Sequence, residues 1–116
     1  MYGSGLEPDV FTYTALADAC AALFDSRSAV ELLAKMIDDG VEPNVYMFSA
    51  VINACAQTVD VKAALAVFAQ MKERGVEPNT VAYNSLIVAC ARGGALKLAF
   101  AKFKEMRLAV RFLLIE

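Results

Sequence analysis

The chain has 116 residues, of which 59% are apolar, and it carries a formal net charge of −2 with no histidine. That length holds one domain-sized unit with a modest core, too little for a large enzyme with a lid. No apolar run approaches the length of a membrane span, so the high mean hydropathy of +0.49 must come from periodic faces.

The N-terminal MYGSGLEP has neither a basic region nor an apolar stretch, so no secretory signal is expected there. Gly5–Asp9 reads GLEPD, and GVEPN follows at Gly40–Asn44 and again at Gly75–Asn79. Gly takes the positive φ that ends a helix and Pro cannot continue one, so each copy says stop and turn. After the first copy, Tyr13, Leu16, Ala17, Cys20 and Ala21 fall at i, i+3, i+4, i+7 and i+8, a single helical face. A break follows at Phe24-Asp25, where Asp25 suits the N-cap of a second helix. That helix turns Ala29, Leu33 and Met36 inward and ends at the second copy. Asp38 and Asp39 lie beside its closing Gly40 as solvated charge.

The next 35 residues repeat the scheme. Phe48, Val51, Ile52, Cys55 and Ala56 make the first face, Asp60 is the N-cap, and Ala64, Phe68 and Met71 make the second face. Lys72 and Arg74 near the end of that helix suit its dipole. The third unit opens the same way, with Tyr83, Leu86, Ile87, Cys90 and Ala91, breaks at Gly93-Gly94, and continues through Ala99, Phe103 and Met106. A fixed period between 20 and 50 residues marks a repeat array. A helix pair buries both apolar faces only by stacking on the next pair, so the expected fold is all-α, a right-handed α-solenoid. Its units are residues 10–44, 45–79 and 80–114, with 1–9 as the tail of a preceding unit.

Chemistry is sparse along this chain. Absence of histidine removes the commonest general base and the commonest zinc ligand. Gly93-Gly94 is followed by Ala-Leu, so no phosphate loop is present. Cys20, Cys55 and Cys90 occupy equivalent places in apolar stripes and read as small core residues in a reducing compartment. The expectation is no enzymatic activity, no metal, no cofactor and no membrane.

Three segments held in register, AYNSLI at 82–87, ALAVFAQM at 64–71 and GVEPN, carry a family likeness. They resemble the pentatricopeptide repeat, which opens V-T-Y-N-x-L-I, runs through A-L-x-x-F-x-x-M and closes G-(V/I)-x-P-(D/N). The absence of Trp and the 35-residue period separate the chain from tetratricopeptide repeats. The likeness spans Val10 to about Arg107 and implies 35-residue repeats cut from a longer array. It also implies binding of single-stranded RNA, one base per repeat, in mitochondria or chloroplasts, for RNA stability, processing or translation.

By the same resemblance the fifth and last residues of each repeat select the base, and the second packs against its face. These are Thr14 and Asn44, then Ser49 and Asn79, with Phe11 and Tyr46 at the second place. A hydroxyl residue with Asn implies adenine at two adjacent repeats. The third repeat offers Val81 and Asn84, the latter implying a pyrimidine, but Leu114 stands where Asp or Asn belongs. It departs from the pattern after Arg107, and the tail RLAVRFLLIE is either a helix extension or an ill-ordered apolar end. Plain structural roles compete for these residues. Asn44 and Asn79 suit ordinary N-caps, and Phe11 and Tyr46 suit either core or stacking.

Charge is unevenly spread. Residues 1–58 hold two basic and eight acidic groups (net −6), and residues 59–116 hold nine and five (net +4). Arg92 occupies the thirteenth place of its repeat, where the family often carries a cation near the RNA backbone; Lys97, Lys102 and Lys104 read as solvated helix faces. The acidic first half keeps open a second reading, a protein-binding scaffold whose groove takes a peptide or partner helix. Uncapped solenoid ends further imply self-association.

Overall fold

The computed structural model describes residues 7–115, with side chains to Ala109. Six helices follow one another: α1 (Val10–Ala22), α2 (Ser26–Asp38), α3 (Val45–Gln57), α4 (Val61–Glu73), α5 (Thr80–Arg92) and α6 (Leu96–Ile115). The expected all-α solenoid of helix pairs is what the chain forms. Expectations for Gly5 and for the Leu114 side chain lie outside the described residues.

Local chemistry sets the helix boundaries. Asp9, Asp25, Asn44, Asp60 and Asn79 each accept, through the side chain, the backbone N–H three residues on. Asp9 and Thr12 complete a reciprocal capping box. At α6 the equivalent place is Ala95, which has no side-chain acceptor to offer.

The stops are equally regular. Gly40 (φ 82°) and Gly75 (φ 78°) take the left-handed conformation. Behind them Val41 N–H reaches the Met36 carbonyl and Val76 N–H the Met71 carbonyl, both at 3.0 Å. This is the Schellman arrangement, and its apolar clasp is present, since Val41 and Val76 pack on the core. The same bonds close the first helix of each pair, from Asp25 to Cys20, Asp60 to Cys55 and Ala95 to Cys90. There the left-handed residue is Phe24 (φ 55°), Val59 (φ 58°) or Gly94 (φ 85°). Phe24 and Val59 hold a conformation that costs a non-glycine residue about 1–2 kcal/mol. The expected breaks were right in place, but these two carry strain that Gly94 avoids.

Helices α1, α3 and α5 lie side by side as one layer, and α2, α4 and α6 back them. Helix α3 is buried on most of its circumference, as a helix flanked on all sides should be. Phe48, Val51, Ile52 and Cys55 are fully buried there, and Phe68 and Met71 meet them from α4. Each such side chain contributes about 1.5–3 kcal/mol of burial. The outer repeats depart from the expected stripes: Leu16 and Ala91 are exposed and Cys20 and Ile87 only half-buried.

The third repeat differs most. Where Gly40 and Gly75 end α2 and α4, the chain has Val110, and α6 runs on as helix to Ile115. The tail is therefore a helix extension. Two charge expectations also change. Lys102 is not a solvated face: it bonds Glu105 at 3.2 Å and lies 5.3 Å from the Phe68 ring centre. Asp39 is not idle either, since it accepts the Tyr13 hydroxyl.

Candidate nucleic-acid interface

The first turns of α1, α3 and α5 present the family-implied positions together. At the second place of each repeat, Phe11, Tyr46 and Val81 are 77%, 66% and 52% exposed. They lie on the surface, so the core alternative does not hold. They stand exposed because the buried face of each helix is taken by other positions, such as Tyr13, Phe48 and Tyr83.

Between Tyr46 and Val81 lies a cleft of about 240 Å³, with Ser49 and Asn79 in its lining. The Ser49 hydroxyl donates to Asn79 Oδ1 at 2.9 Å, and Ala82 N–H donates to the same oxygen at 2.9 Å. The N-cap role of Asn79 is thus real, and it coexists with a place in the cleft. Capping fixes the carboxamide orientation: the oxygen turns to the helix, and Nδ2 is left with its donors.

Repeat 1 is built differently. Asn44 Oδ1 caps Met47 N–H at 3.0 Å, while the Thr14 hydroxyl donates to the Val10 carbonyl at 2.7 Å. No hydrogen bond joins Thr14 to Asn44 among the described residues. Asn84 is exposed on α5, and Arg92 is exposed in the last turn of the same helix.

Two residues in the cleft were not anticipated. Asp18 and Asn53 line it and also line a second cleft of about 400 Å³ with Ala21, Ala22, Phe24 and Gln57. Each stands four residues after Thr14 or Ser49, so helical spacing alone places it on the same face. Asp18 is the one anion on α1, α3 and α5, and Arg92 the one cation. The face is therefore near-neutral, with hydrogen-bonding groups and exposed rings rather than a basic stripe.

No group of three or more Cys, Asp or Glu gathers to hold a metal among the described residues. No described helix is long and apolar enough to cross a membrane. Burial raises the Cys55 thiol to about 12, with the Asp60 charge adding to it, which leaves that sulfur unreactive at neutral pH.

No curated protein sequence matches the chain. Among solved structures it resembles the pentatricopeptide repeat protein PPR10 from maize at 28% identity and a TM-score of 0.78, over 91% of this chain and 15% of that one. The structure of PPR10 in complex with an 18-nt psaJ RNA element matches at 26% identity and a TM-score of 0.79, over 91% of this chain and 16% of that one. The chain thus spans under a fifth of the length of these relatives. The pentatricopeptide repeat domain model matches residues 1–57 and 31–93, and the PPR repeat model matches 81–109. With the repeat period, the helix pairs and these matches in agreement, the chain belongs to the pentatricopeptide repeat family.

Proposed function

We propose that the chain is a sequence-selective single-stranded RNA-binding module, reading one base per repeat and preferring adenine at repeats 1 and 2. The observation that carries this is the bonded pair Ser49 and Asn79 on the floor of a cleft walled by Tyr46 and Val81. Ser49 spends its proton on Asn79 Oδ1 and keeps lone pairs for a ligand. Asn79 spends that oxygen and keeps its amide protons. The floor therefore offers one acceptor beside one donor.

Adenine answers with its amino group and N1, and cytosine with its amino group and N3. Guanine and uracil carry the opposite order, a carbonyl and an imino N–H. The short Ser49 side chain leaves room for the larger ring, which favours adenine of the two. Thr14 and Asn44 offer the same groups, since Thr14 gives its proton to Val10 and Asn44 its oxygen to Met47. Phe11 and Tyr46 supply stacking, worth about 1–3 kcal/mol per base. Arg92 is the one cation of the first-helix layer and would contact phosphate. The family resemblance supports a place in organellar RNA stability, processing or translation.

The test is fluorescence anisotropy of short single-stranded RNAs carrying AA, GG, UU or CC in one neutral context. Wild type should prefer AA by roughly tenfold or more, in line with about 1–3 kcal/mol per correctly read base. Changing Asn44→Asp with Asn79→Asp replaces both donors by acceptors and should move the preference toward GG. Uniform binding to all four sequences by a folded wild type would sink the base-reading claim. With a single groove cation, the salt dependence should be shallow.

A further inference from the structure

We propose that the cleft between the later turns of α1 and α3 is a docking site for an arginine side chain of a partner protein. This docking does not rest on the RNA reading above.

This cleft, of about 400 Å³, lies further along the two helices than the one beside Tyr46. Asp18, Phe24, Asn53 and Gln57 are the lining side chains that can engage a ligand, and no cation lines it. Asp18 is exposed and forms no ion pair among the described residues. Gln57 Nε2 donates to Asn53 Oδ1 at 3.5 Å, which leaves the Gln57 carbonyl oxygen as an acceptor. Ala21 and Ala22 complete the wall, an apolar bed for the aliphatic stem of a long side chain.

Phe24 supplies an independent observation. The closure of α1 requires a left-handed residue at its place, and the side chain there is a phenyl ring, 64% exposed, on a backbone with φ 55°. That conformation is disfavoured for any residue with a Cβ. Gly94 meets the same requirement without strain. Val59 meets it with strain, but its side chain is half-buried and lies close to Gly93, so packing accounts for it. No such packing holds the Phe24 ring, and strain kept at an exposed ring points to a ligand.

The next joint shows that the repeat pattern alone does not build this site. At 35 residues on, the counterparts of Asp18, Phe24, Asn53 and Gln57 are Asn53, Val59, Val88 and Arg92. The anion and the ring are absent there. The chain's own guanidinium stands where Gln57 offers a carbonyl.

A carboxylate, an amide carbonyl and a ring face in one cleft call for a single chemistry. A guanidinium donates through a planar fork of N–H groups to a carboxylate and has further N–H groups for a carbonyl. Its plane also stacks on an aromatic face. A lysine ammonium has neither fork nor plane. Asp18 repels a phosphate, so charge complementarity favours a basic protein segment over a nucleic-acid strand.

The test is a heteronuclear NMR titration of the full chain with a capped glycine pentapeptide that carries arginine at its centre. The backbone amides of Asp18, Phe24, Asn53 and Gln57 should shift together and saturate with a Kd on the order of 1 mM. Lysine at the centre should bind at least about threefold more weakly. Citrulline, the uncharged isostere, should bind about tenfold more weakly still or not at all. Asp18→Asn should weaken the arginine peptide about tenfold, while Asp38→Asn, which removes an exposed anion from α2, should leave it unchanged. Phe24→Gly removes the ring, keeps the turn and should weaken binding about threefold. Circular dichroism confirms the fold of each variant. Equal binding of the arginine, lysine and citrulline peptides overturns the proposal, and so does a response that survives Asp18→Asn. A short single-stranded RNA that shifts the Phe24 and Gln57 amides and displaces the peptide overturns it too, by assigning the cleft to nucleic acid. Peptide docking with no RNA binding anywhere on the chain would sink the RNA reading and leave this site standing.

Discussion

Repeats 2 and 3 share a period and a starting motif, yet they end as different objects. In repeat 2 the columns Phe48, Ile52, Cys55 and Phe68 are buried, and the Ser49 hydroxyl bonds Asn79. In repeat 3 the same columns give Tyr83, Ile87, Cys90 and Phe103, and the last of these is nearly half exposed. In the place of Ser49 it has Asn84, exposed on α5. The difference in burial follows from position and not from composition. A repeat flanked on both sides has two neighbours to cover it, while a terminal one has a single neighbour, so identical residue types yield a core column in one place and an exposed face in the other. Burial in a solenoid belongs to the joint between repeats.

The sharpest way to break that statement is to truncate one column at both places. Phe68→Ala should cost about 3–5 kcal/mol, the usual range for a buried Phe. Phe103→Ala should cost less than about 1 kcal/mol when measured at concentrations too low for self-association. Urea unfolding followed by circular dichroism reads both. Equal losses would mean that α6 is held by something other than the apolar joint.

The second joint has a tighter point. A Cβ at Gly93 would collide with Val61 and crowd the Ala89 carbonyl. Gly93→Ala should therefore destabilise by about 1–3 kcal/mol through overpacking. In a Val61→Ala background the penalty should shrink, since the colliding methyl is gone. A penalty unchanged by Val61→Ala would place the strain in the α5 backbone and leave the joint out of it. The equivalent positions hold Leu23 and Thr58, so this close approach is particular to the joint between repeats 2 and 3.

Smaller effects separate the turns. Repeat 3 uses Gly94 where repeats 1 and 2 force Phe24 and Val59 to positive φ. Phe24→Gly should stabilise the chain by about 1 kcal/mol, the left-handed penalty less the entropy glycine loses on folding. Val59→Gly should gain less, because Val59 is half-buried and its packing is lost. Thermal unfolding of the two variants ranks them. A loss for Phe24→Gly would mean that its ring is anchored.

Much of this was readable in the residues, and the reason is periodicity. Recurrence at 35 residues placed the helix pairs, the Asp25, Asp60, Asn44 and Asn79 caps and the Gly40 and Gly75 stops, because each depends on chemistry within a few positions. Two kinds of fact were not readable. The strained turns at Phe24 and Val59 are imposed by the hydrogen-bonded closure of α1 and α3, and neither residue advertises a left-handed conformation. The Ser49 proton could equally have bonded its own helix, as the Thr14 proton does; which choice is made depends on a neighbouring repeat. Asp18 and Asn53 are legible as well, since i+4 spacing from Thr14 and Ser49 points to them.

The weakest fastening between the two repeats is electrostatic. Glu105 accepts Lys72 at 2.6 Å and Lys102 at 3.2 Å. Partial burial works against its charge, but hydrogen bonds from Lys72 and Lys102 outweigh that and hold the carboxyl below its ordinary value of 4.5. A carboxyl depressed in the folded state adds stability that is fully present above the unfolded value and is lost as pH falls through the folded one. Wild type should thus exceed Glu105→Gln near neutral pH by less than about 1 kcal/mol, as for a solvent-accessible pair. The gap should close as the pH drops below 4.5. Tm measured against pH for both proteins tests this. Parallel curves would show that the Lys72 and Lys102 ammonium groups owe their placement to the Phe68 ring, which they flank at 5.2 and 5.3 Å, and that the carboxylate merely follows.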